Sequence, residues 1–240
     1  MKRHHILIGI VLAVLLADQL LKFYVKTSLS YGTGFGILGA DWARIHFVEN
    51  EGMAFGLTFG NKCLGVRQEG QCVGLNITPE SGKLILSCFR ILMVGFLYYL
   101  IVQLYKAKEP LGLLISFSLI LAGAIGNILD SAFYGLIFSS SPYHGSVAQL
   151  FPQGGGYAPF LFGKVVDMFY FPMVDTILPE WVPFIGGHRF EFFKPVFNLA
   201  DASITTGVFM ILLFHRNFLK KGNESEKEKT SPDQGISEEE

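Results

Sequence analysis

The chain has 240 residues, half of them apolar and only 16% charged, with a mean hydropathy of +0.41 and 23 phenylalanines. That composition excludes an ordinary soluble domain and points to a membrane protein. Net charge is −1 and seven of the twenty acidic residues crowd into 224–240, so the balance supports neither nucleic-acid binding nor an acidic fold.

A membrane span needs about 20 predominantly apolar residues. Four segments qualify: 6–26, 83–104, 110–138 with its polar end, and 195–218. Lys2 and Arg3 precede the first span, Lys106 and Lys108 lie between the second and third, and Arg216, Lys220 and Lys221 follow the last. All three clusters fall on one side, which the positive-inside rule makes cytoplasmic, leaving the long connections 27–82 and 139–194 outside. The basic start and the apolar stretch 6–17 also fit a cleaved signal peptide, but no A-x-A site follows and apolarity resumes at Leu20. Residues 1–221 read as one four-helix membrane domain. Residues 222–240, charged and without an apolar period, read as a disordered cytoplasmic tail. There is no internal repeat.

Polar islands interrupt this apolar pattern. The first is Asp18-Gln19-Leu20-Leu21-Lys22, where Asp18 and Lys22 are spaced i, i+4 and can neutralise each other. A rise of about 1.5 Å per residue also puts Asp18 at a depth similar to Arg90 of the antiparallel second span, so an Asp18–Arg90 pair is a second expectation. Gly32, Gly34 and Gly36 alternate without a βαβ context and make no nucleotide fingerprint. Ala43, Ile45 and Phe47 alternate as in a strand, with Asn50, Glu51 and Gly52 as a turn. Met53, Phe55 and Phe59 then suit either a small sheet resting on lipid or a hairpin packed on the helices. Segment 62–79 reads as an inserted loop. Its Cys63 and Cys72 could close a disulfide in an oxidising compartment, although spacing alone does not bring them together, and Cys88 reads as packing.

The third span ends in Gly123-Ala124-Ile125-Gly126-Asn127-Ile128-Leu129-Asp130. Its small residues permit close helix approach, and Asn127 and Asp130 share a face. From Pro110 the helix reaches the outer boundary near Asp130, about 30 Å away. Segment 139–163 is loop-like, and Val165-Val166-Asp167-Met168-Phe169 returns a carboxylate to an apolar setting. Segment 171–193, with Trp181 and three prolines, suits the membrane interface; His144 and His188 read as solvated surface residues. Finally Phe197-Asn198-Leu199-Ala200-Asp201-Ala202-Ser203 heads the last apolar run. A helical spacing would set Asn198 and Asp201 on one face with Thr205 a turn below. An aspartate in hydrocarbon costs at least about 2.5 kcal/mol on insertion scales, so it needs a task or a partner.

Asp130, Asp167 and Asp201 converge on the outer side, within reach of Asn50. Two adjacent aspartates cannot both ionise, so they share a proton and can act as base and acid toward a water and an amide carbonyl. Asn127 and Asn198 could orient such a pair. Ser203 lacks a G-x-S-x-G elbow, and the sequence holds neither C-x-x-C nor H-E-x-x-H. On polarity alone, hydrolysis and transport stand level, and a cation site or a structural role stays open.

Asp18-Gln-Leu-Leu-Lys22, Asn50-Glu-Gly52-Met-Ala54-Phe55-Gly56, Gly126-Asn127-Ile-Leu-Asp130, Val165-Val166-Asp167-Met-Phe169 and Phe197-Asn198-Leu-Ala200-Asp201, in this order, resemble the bacterial lipoprotein signal peptidase (signal peptidase II) family. The resemblance covers the spans and their flanks, roughly half the chain. It implies an α-helical membrane protein of four transmembrane helices with a small extracytoplasmic β-sheet and loops. It further implies an intramembrane aspartic endopeptidase of the bacterial inner membrane, cutting diacylglyceryl-modified prolipoproteins before the lipidated cysteine. Motif by motif, Asp167 and Asp201 would be catalytic, Asn50, Gly52, Asn127, Asp130 and Asn198 supporting, and Asp18 stabilising. Membrane lipid would be a partner, globomycin and myxovirescin inhibitors, and no cofactor, metal or nucleic acid is implied. The sequence departs from the family at Ser131, usually arginine, and at Ala202, usually serine; Arg90 is a candidate substitute for the missing arginine. It also carries outside insertions at 60–79, 132–163 and 170–193. A catalytically inactive lipoprotein-binding protein would tolerate Asp167→Asn and Asp201→Asn.

Overall fold

The computed structural model describes residues 2–40, 42–50, 62–68, 71–77, 79–142, 145–172, 174–177, 179–181, 187, 189–192, 196–216 and 218, with backbone alone for 62–68, 71–77, 79, 174–177 and 189–192. Gly52, Met53, Phe55, Phe59, His144, His188 and the tail 222–240 lie outside the described residues.

In chain order the elements are α1 (Arg3–Ser28), β1 (Gly34–Gly36), β2 (Arg44–Asn50), β3 (Lys62–Gln68), β4 (Gln71–Ile77), α2 (Pro79–Lys106) and α3 (Leu111–Leu129). A π-helical turn (Asp130–Tyr134) carries α3 into α4 (Gly135–Ile137), followed by β5 (Val165–Tyr170), β6 (Val174–Ile177), β7 (Arg189–Phe192), β8 (Val196–Phe197) and α5 (Leu199–Phe214). Segments Arg3–Ser28, Glu80–Lys106 and Leu111–Ile137 are long and apolar enough to cross a membrane, and Leu199–Phe214 is a shorter apolar helix. Proline opens two of these helices from positions where no backbone N–H is needed, Pro79 in the first turn of α2 and Pro110 as the residue before α3.

The fourth helix starts later than its hydropathy suggests. Val196 and Phe197 are taken by β8 and Asn198 is the N-cap, with extended φ −117° and ψ 179°. Segment 62–79 is also not a plain loop, because β3 and β4 form an antiparallel hairpin that leads into α2. Its register sets Cys63 opposite Asn76 and Cys72 opposite Arg67. Four residues of strand separate the two positions by about 13 Å, beyond the roughly 7 Å a disulfide spans, so the Cys63–Cys72 bridge is ruled out in this hairpin.

Helix α3 is the axis of the bundle, packed against α1, α2 and α5. Its contact with α5 is close because Gly123 has no side chain: a Cβ there would lie 2.2 Å from the Ala200 carbonyl oxygen and 2.6 Å from Ser203 Oγ. At one end the core is aliphatic and aromatic, built from Leu7, Leu104, Leu113, Leu114, Phe117 and Ile211. The described residues of the basic clusters, among them Arg3, Lys106 and Arg216, lie at the helix ends on this side. Arg3 donates to the Glu109 carbonyl, and His215 lies beside Gly112.

At the opposite end a four-stranded antiparallel sheet, in the order β1-β2-β5-β8, sits over the helices. The alternation expected in β2 holds, since Phe47 is buried, together with Val166 and Met168 of β5, against Val25, Tyr134, Phe138 and Ala148. Leu38 and Trp42, beside these strands, are exposed.

Candidate active site

Asp167 lies in the middle of β5 and is buried. In β2 the residue opposite it is Val48, and Asn50 is two positions further along the same face. Asn50 Nδ2 accordingly donates to Asp167 Oδ2 at 3.2 Å. On the other side of β5, Phe169 pairs with Phe197 of β8, and the next residue is Asn198. This two-residue strand delivers the start of α5 to Asp167: Asn198 Nδ2 donates to Asp167 Oδ1 at 2.8 Å.

Asn198 has a second task. Its Oδ1 accepts the Asp201 N–H at 2.9 Å, and Asp201 Oδ2 accepts the Asn198 N–H at 3.5 Å, a reciprocal capping box. The expected helical stripe Asn198–Asp201–Thr205 is therefore corrected, because Asn198 precedes the helix and reaches Asp201 as a cap, while Thr205 is exposed. Asp201 stands in the first turn of α5, half-buried, and its Oδ1 accepts from Asn127 Nδ2 at 2.8 Å. Asn198 Nδ2 also donates to Asn127 Oδ1 at 3.1 Å, so two amides tie the two carboxylates together.

Behind these amides lies a buried ion cluster. Lys22 Nζ is 2.8 Å from Asp18 Oδ2, 2.9 Å from Asp130 Oδ2 and 3.1 Å from Asn127 Oδ1. Asp18 Oδ1 accepts the Ala200 N–H at 2.9 Å, and Asp130 Oδ2 accepts the Val166 N–H at 3.2 Å. Gln19 Nε2 donates to Asp130 Oδ1 at 3.0 Å, and Tyr134 Oη donates to Gln19 Oε1 at 3.1 Å. Asp18 and Asp130 thus hold α5 and β5 by their backbones while Lys22 neutralises much of their charge. The π-helical turn widens α3 where Asp130 and Tyr134 turn inward, a form of helix that recurs at functional sites.

The expected pair Asp18–Arg90 is not formed; Asp18 pairs with Lys22, the i, i+4 alternative. Arg90 Nη1 lies 3.5 Å from Ser131 Oγ, and Asp201, Asp130 and Asp167 are within electrostatic reach of its charge. The arginine of α2 therefore faces the position where an arginine was expected. Nothing in the structure explains Ala202.

The site thus gathers Asp18, Asn50, Asn127, Asp130, Asp167, Asn198 and Asp201; Gly52 lies outside the described residues. Sequence reasoning missed the central place of Lys22, and with it Gln19, Tyr134 and the neighbouring Lys26. Lys26 pairs with Glu49 and donates to Ser141 Oγ at 2.9 Å, fixing the strand residue before Asn50. The signal was present: 18, 22 and 26 recur at i, i+4, i+8 on one helical face.

Burial, and after it the charge of Asp201, pushes the Asp167 carboxyl up to about 7, against the opposing donors Asn50 and Asn198. Near neutrality Asp167 can therefore either hold or release a proton. Among the described residues no group of His, Cys, Asp and Glu is arranged to hold a metal ion. The buried charged groups of the described residues stay at the sheet end; toward the far end of α3 the buried polar side chains are the serines Ser116 and Ser118, of which Ser116 bonds back to the Gly112 carbonyl of its own helix, a pattern that disfavours a charged pathway through the bundle.

A family model described as signal peptidase (SPase) II matches residues 10–216. The chain is 45% identical over 206 residues to a lipoprotein signal peptidase of Porphyromonas gingivalis, covering 85% of this chain and 80% of that protein. It is 34% identical over 210 residues to a lipoprotein signal peptidase of Amoebophilus asiaticus, covering 87% and 76%. Among solved structures, a bacterial membrane enzyme determined by the in meso method at 2.3 Å shares the fold, with TM-score 0.53 and 19% identity over 98% of this chain and 94% of that one.

Proposed function

The chain belongs to the signal peptidase II family, and on that premise we propose that Asp167 and Asp201 are its catalytic dyad. As a member of this family it is a peptidase that removes signal peptides from prolipoproteins. The observation that carries the dyad is the pair of amides: Asn198 and Asn127 hold the two carboxylates through N–H donors, and Asp167 is kept near neutrality by burial.

Asp167 enters the reaction as the acid and Asp201, the less buried of the two, as the base. Asp201 takes a proton from a water whose oxygen attacks the scissile carbonyl carbon, and Asp167 gives its proton to the carbonyl oxygen, forming a gem-diol. On collapse Asp201 protonates the leaving amine, the C–N bond breaks, and Asp167 regains a proton from a gem-diol hydroxyl. The dyad ends as it began, with one proton.

The scissile bond is the one before a diacylglyceryl-modified cysteine, whose acyl chains stay in lipid. The end of the bundle that carries the sheet faces the outside of the bacterial inner membrane, and the end that gathers Arg3, Lys106 and Arg216 faces the cytoplasm. Residues 1–221 are the peptidase domain and 222–240 a cytoplasmic tail. Globomycin and myxovirescin are inhibitors expected to occupy the same site.

The test is cleavage of a diacylglyceryl prolipoprotein by the purified protein in detergent. The parent is expected to cut before the lipidated cysteine, and Asp167→Asn and Asp201→Asn each to lose at least about 1,000-fold in rate while still binding globomycin. A variant that keeps more than about a tenth of the parent rate would remove its aspartate from the dyad.

A further inference from the structure

Lys22 is fully buried, yet no step of the reaction uses it. An ammonium offers three N–H donors and no acceptor. Here the donors go to Asp18 Oδ2, Asp130 Oδ2 and Asn127 Oδ1. The third contact has a directional consequence. An asparagine amide can be turned over, exchanging its carbonyl and its amino group, at little steric expense. At Asn127 the carbonyl is held by two donors, Lys22 Nζ and Asn198 Nδ2, so the amino group must face Asp201 Oδ1. Turned over, the amino group would face both donors and the carbonyl would face a carboxylate. Asn198 does not depend on Lys22 in the same way, because the Asp201 backbone N–H already holds its carbonyl.

We propose that Lys22 is a positioning residue, which with Asn198 fixes the direction of Asn127 so that Asp201 receives an N–H and serves as the base of the dyad. The inference rests on the dyad reading. An N–H held against a carboxylate favours its ionised form. The charged and titratable groups around this relay are Asp18 on α1, Asp130 and Tyr134 at the end of α3, Arg90 on α2, Asp167 on β5 and Asp201 on α5.

Lys22→Met alone leaves Asp18 and Asp130 buried without their cation, so it is paired with Lys22→Met/Asp130→Asn, in which the net charge of the triad is unchanged, and compared with Asp130→Asn. Cleavage of a diacylglyceryl prolipoprotein is measured from acid to alkaline pH in detergent, with thermal melting to confirm folding. Relative to the parent, whose triad carries the same net charge, and beyond any shift seen in Asp130→Asn, the double variant is expected to move the acid limb of the kcat profile up by about one pH unit, with KM within about threefold. An unmoved acid limb in the folded double variant would overturn the role of Lys22 and leave the dyad intact. A parent whose cleavage survives Asp201→Asn would instead remove the dyad reading itself. If neither Met variant folds, Lys22→Gln/Asp130→Asn decides, since it keeps both the net charge of the triad and an N–H donor: a parental acid limb supports the relay and a displaced one overturns it.

Discussion

The two ends of the bundle are held by different physics. At one end Leu7, Leu104, Leu113, Leu114, Phe117 and Ile211 fill the space between helices, and any well-fitting apolar side chain could do so. At the other, Asp18, Lys22, Asn127, Asp130, Asp167, Asn198 and Asp201 form a connected chain of hydrogen bonds in which nearly every donor has one place to go. No buried side-chain nitrogen or oxygen among the described residues lacks a partner. A packed end tolerates exchange of shape, whereas a directional end fails when one donor is lost, because the acceptor left behind stays buried. The dyad proposed above lies at the directional end, where fixed donors already face both carboxylates.

The most damaging change short of the dyad itself is expected at Asn198, which serves both the cap of α5 and Asp167. Asn198→Leu removes these contacts, and the one to Asn127, while keeping the number of side-chain heavy atoms. Loss of the cap costs about 1 kcal/mol of stability, and loss of the donor is expected to lower kcat on the order of 100-fold. Melting in detergent and single-turnover cleavage measure the two separately. If kcat fell no more than the folded fraction, the amide would be a cap and nothing else.

A smaller effect is expected from pH. Asp167 is raised to about 7, so its acid form is present below that value and lost above it. Cleavage should decline as pH rises through about 7, and the same ionisation weakens the fold: a group whose folded value is raised contributes stability that is full below its unfolded value and disappears as pH passes the folded one. The melting temperature of the parent should therefore fall between roughly pH 4 and 7 relative to Asp167→Asn, which cannot ionise, and level off above that. Parallel curves for the two proteins would mean that Asp167 does not hold its proton near neutrality.

The sequence made some of this legible. Hydropathy located all four apolar helices, since a run of about 20 apolar residues has few other uses. Small residues at Gly123 and Gly126 announced the close approach of α3 to a neighbour, and a Cβ on Gly126 would indeed meet Asp18 Oδ2 at 2.8 Å. The polar islands were visible because polarity in an apolar run is rare. What stayed hidden is what depends on partners far along the chain. Lys22 could be paired with Asp18 by local spacing, but its contact with Asp130 spans more than a hundred residues and exists only because α3 packs against α1. Likewise β8 is two residues long, too short for any period, and its place beside β5 converts the expected helical start at Pro195 into a strand and a cap.

The smallest effect on catalysis is expected at the packed end. Leu114 is fully buried among apolar side chains, far along α3 from Asn127 and Asp130. In a soluble protein Leu→Ala at such a site costs about 2.7–5 kcal/mol, part of it transfer from water and part the cavity left behind. In a bilayer the transfer part largely vanishes, because lipid chains are as apolar as the core, and what remains is lost packing. Leu114→Ala should therefore destabilise by about 1–3 kcal/mol in detergent. Because the directional network contains no atom of Leu114, kcat of the folded variant should stay within about twofold of the parent and both limbs of its pH profile should stay in place. A displaced limb would mean that the packed end sets the geometry of the carboxylates, and that the two ends work as one device.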